Sequence, residues 1–295
     1  MTAYVFPGQG AQFPGMGKAL FEVNELAQTL FKQADDVLGF SLSRVMFEGS
    51  EEELLQTRIT QPAIFVHSTV AYLAAEETPQ PDAVAGHSLG EFSALVAAGA
   101  LTFPDALRLV SERAQAMQDA ADREPGTMAA ILGLDDEMIE EACANLDDVV
   151  VPANYNSPGQ LVISGSVEGV ERAGKILSDL GARRVIPLKV GGAFHSPLME
   201  PAREKLKETI EATRFRPPGC EIYQNVDGKA SMSPDSIKDK LIRQLTAPVR
   251  WTQTIQQMQY DGVTRFVEVG GKGKVLAGLI KKVDRSLTVD QMEEQ

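Results

Sequence analysis

Apolar and polar positions change period several times along this chain, and each change marks an element. Residues 3–6 (Ala-Tyr-Val-Phe) form an unbroken apolar run, the pattern of a short buried strand. A helical period covers 17–38, with Leu20, Phe21, Leu26, Leu30, Phe31, Ala34 and Leu38 on one face. Ser50 followed by three glutamates reads as a capped helix start, because acids suit the positive end of the helix dipole. Gln61-Pro62 opens a further helix to about Ala75, with proline at a tolerated first-turn position. A short apolar run then ends at Gly86, and a helical run begins after Leu89. The helix Pro104–Ala121 carries an apolar stripe of Ala106, Val110, Ala114, Met117 and Ala121. Later come an amphipathic helix at Met199–Thr213, a helix at Trp251–Tyr260, and strand-like runs at Glu221–Val226 and Thr264–Val269.

Between them, residues 127–190 look self-contained. Strands at Met128–Leu134, Val149–Ala153, Leu161–Ser164 and Arg184–Val190 alternate with helices at Asp135–Asn145 and Val167–Leu180. The order β-α-β-β-α-β is the ferredoxin-like unit. Glycine-rich flanks at 124–126 and 191–192 make plausible hinges. The expected fold class is therefore α/β. Residues 1–125 and 191–295 form a large α/β-hydrolase-like subdomain with a parallel sheet, and 126–190 form an inserted ferredoxin-like small subdomain.

Gly86-His87-Ser88-Leu89-Gly90 falls where the apolar run meets the helix. This G-x-S-x-G pattern in a strand-turn-helix context is a nucleophile elbow; a surface Gly-Ser turn is the alternative. The amide of Leu89, at the helix start, could donate to developing negative charge. A serine nucleophile needs a base, and there are three histidines. His67 lies in an apolar helix and reads as a packed core residue. His87 adjoins Ser88, where strand alternation would point it away from the cleft. His195, on a glycine-rich loop before a helix, is the natural base, and no acid stands at an identifiable strand end to complete a triad. Arg113 lies about 60° from the centre of its helix's apolar stripe at 100° per residue. An inward guanidinium needs an anionic partner: a ligand, a distant acid, or failing both a snorkelling stem.

Composition narrows the function. The 295 residues carry a net charge of −13, against nucleic acid or an anionic membrane as the main partner. No apolar run is long enough to span a bilayer, and no signal-peptide pattern opens the chain. Cys143 and Cys220 provide neither a disulfide framework nor a metal set, so a cytoplasmic location is expected. Pro7-Gly8-Gln9-Gly10 lacks the marks of a dinucleotide or P-loop cradle. Lys272, Lys274, Lys281, Lys282 and Arg285 make the C-terminal region locally basic, while the tail ends acidic.

At these residues the chain resembles the malonyl-CoA:acyl carrier protein transacylases. The resemblance rests on Phe6-Pro7-Gly8-Gln9-Gly10-Ala11-Gln12, Gln61-Pro62-Ala63, the segment 86–95 and Arg113. It continues through the segment 154–160, Ala193-Phe194-His195-Ser196, the segment 248–251 and Glu268-Val269-Gly270, spanning nearly the whole chain. The resemblance implies a ping-pong malonyl transfer in fatty acid biosynthesis, from malonyl-CoA to the phosphopantetheine thiol of acyl carrier protein. Ser88 would be the nucleophile, His195 the base, and the amides of Gln9 and Leu89 the oxyanion hole. Arg113 would pair with the malonyl carboxylate, with Gln61, Asn156 and Phe194 also at the substrate. No cofactor and no metal is implied. A carbonyl near residue 250 would orient His195. The acidic carrier would dock on Arg183, Arg184 and Lys189 or on the C-terminal region. Phe92 stands where tyrosine is frequent, and Arg250 where some members have glutamine. A serine hydrolase, malonyl loading for a polyketide synthase, and a non-catalytic carrier-binding module are the rival readings; a monomer is expected. In related polyketide acyltransferases serine replaces the phenylalanine when methylmalonyl is used, so Phe194 would fill the space of an α-methyl. Phe194→Ser is therefore expected to raise the methylmalonyl-CoA rate relative to malonyl-CoA; an unchanged ratio in a competition assay contradicts this.

Overall fold

A computed structural model describes residues 1–75 and 80–292. The acidic end of the tail lies outside the described residues. Ten strands occur among them, in chain order β1 (Thr2–Phe6), β2 (Ala83–Gly86), β3 (Gly126–Leu132), β4 (Val150–Ser157), β5 (Gln160–Ser166), β6 (Arg184–Pro187), β7 (Glu221–Tyr223), β8 (Ala230–Ser231), β9 (Arg265–Glu268) and β10 (Thr288–Gln291). They make two sheets, ordered β10-β9-β1-β2-β7-β8 and β4-β5-β3-β6.

The first sheet is parallel from β10 to β7, and β8 adds an antiparallel edge. Its central strands read as near-continuous apolar runs because both faces are covered. Ala3, Val5, Ala85 and Phe266 pack on one side with Trp251, and Tyr4, Phe6 and Val84 pack on the other with Phe65 and Phe92. The second sheet is antiparallel throughout. Its helices, Asp136–Ala144 and Val167–Asp179, bury Ile139, Ala173 and Leu177 against Ile131, Leu161 and Ile163. Element order and strand order are those of the ferredoxin-like unit.

Several expected boundaries differ, three of them for a physical reason that the packing shows. The helical period over 17–38 is broken at Asn24, which is extended and caps Glu25–Leu38 by accepting from Ala27 N–H at 3.0 Å. The Asn24 amide also donates to the Ala74 carbonyl at 3.1 Å, a tertiary bond no periodicity reveals. The helix expected to open at Gln61-Pro62 begins at Thr57 and ends at Leu73, with Pro62 inside it. Proline removes one helical donor there, but burial of every residue from Gln61 to Tyr72 outweighs that loss. The last small-sheet strand stops at Pro187, tolerated because β6 is an edge.

The small sheet is joined to the larger body by main chain. Tyr155 N–H donates to the Val249 carbonyl at 2.9 Å, and Val249 N–H donates to Ala153 at 2.8 Å. The Arg250 guanidinium covers the Tyr155 ring at 5.4 Å, and the Thr252 hydroxyl donates to the Tyr155 carbonyl at 3.1 Å. The segment 248–251 thus ties β4 to the larger body.

β2 ends in a sharp turn before the helix Gly90–Ala97. A Cβ on Gly86 would stand 1.8 Å from the Gly90 carbonyl carbon, and one on Gly90 would stand 2.1 Å from the Phe6 oxygen. Both approaches are to backbone, so no side-chain adjustment relieves them. Gly86→Ala is therefore expected to destabilise the fold by about 3 kcal/mol or more, read from the urea midpoint at an unchanged m-value; a midpoint near the parent's would show that the turn has other ways to pack.

Candidate active site

Ser88 occupies the apex of this turn with φ 53°, a left-handed conformation rare for a residue with a side chain. His195 shares the feature at φ 59°, in the loop before Pro197. The two side chains meet, with Ser88 Oγ 2.8 Å from His195 Nε2. On the far side of the ring, Nδ1 lies 3.0 Å from the Gln244 carbonyl and 3.2 Å from that of Ala247. Carbonyls only accept, so Nδ1 carries the proton and Nε2 presents its lone pair to the serine hydroxyl. The expected orienting carbonyl near residue 250 is found at 244 and 247.

Arg113, from the helix Phe103–Arg123, reaches the same point. Its Nη2 donates to Ser88 Oγ at 3.0 Å and to Gln244 Oε1 at 3.0 Å, and Nη1 donates to Gln61 Oε1 at 2.5 Å. The residue is 1% exposed, and among the described residues no carboxylate lies within ion-pair distance of it. Phe92 lies 5.9 Å below the guanidinium. Burial, aided by the cation, holds the His195 pKa down at about 3.

A cleft of about 580 Å³ opens over this group and is lined by Gln9, Leu89, Asn156 and Phe194 among others, with Lys189 and Lys272 also on its wall. Among the described residues neither the Gln9 nor the Leu89 amide has a hydrogen-bond acceptor. Gln61 is the exception among the expected site residues. It does not line the cleft but sits fully buried behind Arg113, its amide nitrogen 3.4 Å from the Met117 sulfur. Arg183, Arg184 and Lys189 are exposed on or beside β6.

His87 does not point away, contrary to strand alternation. It lines the cleft, and its Nε2 lies 2.8 Å from Asn156 Oδ1. Alternation assumes extended backbone, and the left-handed turn at Ser88 ends it. His67 is a core residue as expected: its Nδ1 accepts from Gly271 N–H at 3.0 Å, and Phe13 packs edge-on 5.6 Å away. Both cysteines are buried, and burial pushes their thiols up to about 12 at Cys143 and about 11 at Cys220. Neither competes as a nucleophile at neutral pH.

Gln244, Asn225 and Glu91 belong to the site and were not anticipated. Gln244 Nε2 donates to the Ser88 carbonyl at 3.0 Å. Asn225 Oδ1 accepts from Ser88 N–H at 2.7 Å, and the Glu91 carboxylate accepts from Asn225 N–H at 2.5 Å. Burial pushes the Glu91 carboxyl up to about 7 against the pull of these amides and of Arg113. Glu91 is the one of the three with a signal in the sequence, since it directly follows the elbow.

A serine, an imidazole and a fixed cation at a strand-to-helix turn form the constellation of serine acyl-transfer chemistry. The family model of the acyl transferase domain matches residues 3–294, and the chain belongs to that family. It is 46% identical over 289 residues to the malonyl CoA-acyl carrier protein transacylase of Bacillus subtilis, covering 97% of this chain and 91% of the relative. Its structure is similar to that of the acyl-carrier-protein S-malonyltransferase of Burkholderia pseudomallei, at TM-score 0.94 and 42% identity over 99% of this chain and 95% of that one. It is equally similar, at TM-score 0.94 and 42% identity over 98% and 95% of the chains, to a malonyl-transacylase in complex with its type II polyketide acyl-carrier protein.

The depressed histidine has a pH consequence. The native imidazole binds a proton only near pH 3, whereas an unfolded one does so near 6.5. Its contribution to stability is thus lost as pH falls through that window. Expected is a His195 ring that stays neutral at pH 5 by NMR, with no inflection near 6.5 in the pH profile of acyl transfer; an ordinary titration near 6.5 contradicts this geometry.

Proposed function

We propose that this acyltransferase moves a malonyl group from malonyl-CoA to the phosphopantetheine thiol of an acyl carrier protein, through a malonyl ester on Ser88. Ser88 Oγ attacks the thioester carbon as its proton passes to His195 Nε2. The amides of Gln9 and Leu89 hold the oxyanion, each worth about 3 kcal/mol in such chemistry. The carbon–sulfur bond breaks, and the CoA sulfur takes the proton back from Nε2. In the second half the carrier thiol gives its proton to the same nitrogen and attacks the ester, and Ser88 leaves reprotonated. Throughout, Gln244 and Ala247 hold Nδ1–H and so fix the tautomer.

The observation that carries this reading is Arg113: a buried cation at the serine, held by amide oxygens and by no carboxylate among the described residues. The free carboxylate of a malonyl group completes it, by the planar pairing that suits a guanidinium. A hydrolase of neutral esters has no use for this charge. Phe194 and Asn156 would line the acyl end, and Gln61 would hold Arg113 in place. In this reading 1–125 and 191–295 form the α/β-hydrolase-like catalytic subdomain, with 126–190 as the ferredoxin-like small subdomain. The setting is cytosolic, in keeping with two unpaired thiols. The pathway is fatty acid biosynthesis. Loading of a polyketide carrier is the second reading, favoured by the likeness to the complex described above, and transfer rates to the two purified carriers separate them.

Intact-mass spectrometry after malonyl-CoA addition is expected to show one malonyl adduct on Ser88. Ser88→Ala should remove it and lower turnover by about 10⁴-fold or more. Arg113→Ala should lower the preference for malonyl-CoA over acetyl-CoA by roughly 100-fold, the worth of a charge-assisted bond in a buried site. Equal acetylation and malonylation of the parent protein would remove the proposal.

A further inference from the structure

We infer that Asn225, seated by Glu91, is a positioning clamp that holds the strained nucleophile turn and reserves the Leu89 amide for the oxyanion. The inference rests on the nucleophilic role proposed for Ser88.

A left-handed residue with a side chain persists only where its surroundings over-determine it. At Ser88 the determinants are hydrogen bonds. Asn225 Oδ1 accepts from Ser88 N–H at 2.7 Å, and Asn225 Nδ2 donates to the Gly86 carbonyl at 2.7 Å. One planar amide therefore bridges both sides of the turn, and its orientation is fixed because each end can play one role only. Asn225 is itself held at both ends of its backbone. Its N–H donates to Glu91 Oε1 at 2.5 Å, and its carbonyl accepts from Arg250 N–H at 3.0 Å. Glu91 N–H returns to the Ser88 carbonyl at 3.1 Å. The bonds thus close a ring from Ser88 to Asn225 to Glu91 and back to Ser88. Glu91 and Asn225 are both 0% exposed, and neither lines the cleft.

Two consequences follow for the chemistry. With its own N–H taken, Ser88 has none to offer an oxyanion, so that task falls to the next amide, Leu89. And because Asn225 bonds neither to Arg113 nor to any group of the cleft wall but Ser88, its loss acts on serine reactivity rather than on substrate affinity.

The test follows acylation of Ser88 by malonyl-CoA in rapid-quench mass spectrometry, beside labelling by phenylmethylsulfonyl fluoride, an uncharged serine reagent with no need of Arg113. In Asn225→Ala both rates should fall at least 30-fold, with KM for malonyl-CoA within about twofold of the parent. Glu91→Gln keeps an oxygen for the Asn225 N–H and should stay within about threefold, whereas Glu91→Ala should fall like Asn225→Ala. The double variant Glu91→Ala, Asn225→Ala should be no slower than Asn225→Ala alone, because both act through one bridge. If Asn225→Ala does not fold, Asn225→Asp, which keeps the shape but turns an oxygen to the Gly86 carbonyl, should lose at least tenfold in both rates. Parent-like rates in either Asn225 variant, or a raised KM at unchanged acylation rate, would overturn the clamp. Ser88→Ala with full transferase activity would instead overturn the nucleophile itself.

Discussion

The tightest constraint in this molecule is the crossing of backbones beneath Ser88. β2 and the helix after it approach within the space of one missing methyl, at Gly86, and Gly90 lies as closely on the end of β1. Strand β1, strand β2 and the helix Gly90–Ala97 are thereby locked into a single corner at the carboxyl ends of parallel strands. In open α/β sheets that is where ligand sites form. The corner also forces the serine into a left-handed conformation, so the side chain stands clear of strand and helix alike. Local strain and exposure of the hydroxyl have the same cause.

Arg113, His195 and Glu91 are buried around this corner, and each is held by amide groups. Arg113 is surrounded by the side-chain oxygens of Gln61 and Gln244, which orient a guanidinium without neutralising it. A carboxylate in their place would form a self-contained pair, and a substrate anion would have to displace it at a cost of several kcal/mol. Left unneutralised, the cation acts on its neighbours. It adds to the burial that keeps His195 unprotonated, which is the state a base requires. It also opposes the burial that raises Glu91. One charge without a direct ion pair would therefore serve both the substrate recognition proposed above and the protonation state of His195.

The parts legible in the sequence were those set by local backbone chemistry. Glycines at 86 and 90 around a serine, the β-α-β-β-α-β alternation, and an arginine at the edge of an apolar stripe each state a local requirement that a single stretch can express. The parts that were not legible depend on distant chain. Asn24 breaks a helical period because its amide reaches Ala74, and Pro62 sits within a helix because that helix is buried along its length. His87 was misplaced because alternation was carried one residue too far into a turn. Gln244 and Asn225 lie more than a hundred residues from Ser88 and satisfy its backbone rather than its side chain. Such partners have no motif, since any stretch that delivers an amide to the right place would serve.

The link between the small sheet and the larger body connects this corner to the cleft as a whole. Residues 248–251 hydrogen-bond to β4 through Val249, and Arg250 N–H also donates to the Asn225 carbonyl at 3.0 Å. The same short segment thus fixes the small sheet from one side and the turn clamp from the other. Ala247, just before it, offers its carbonyl to His195, and Trp251, at its end, packs its ring 5.6 Å from that of His87. His87 in turn meets Asn156 at the end of β4. A shift of the small sheet would therefore strain the segment that orients the imidazole. Cleft width and base geometry are not independent in this architecture, because one stretch of backbone sets both.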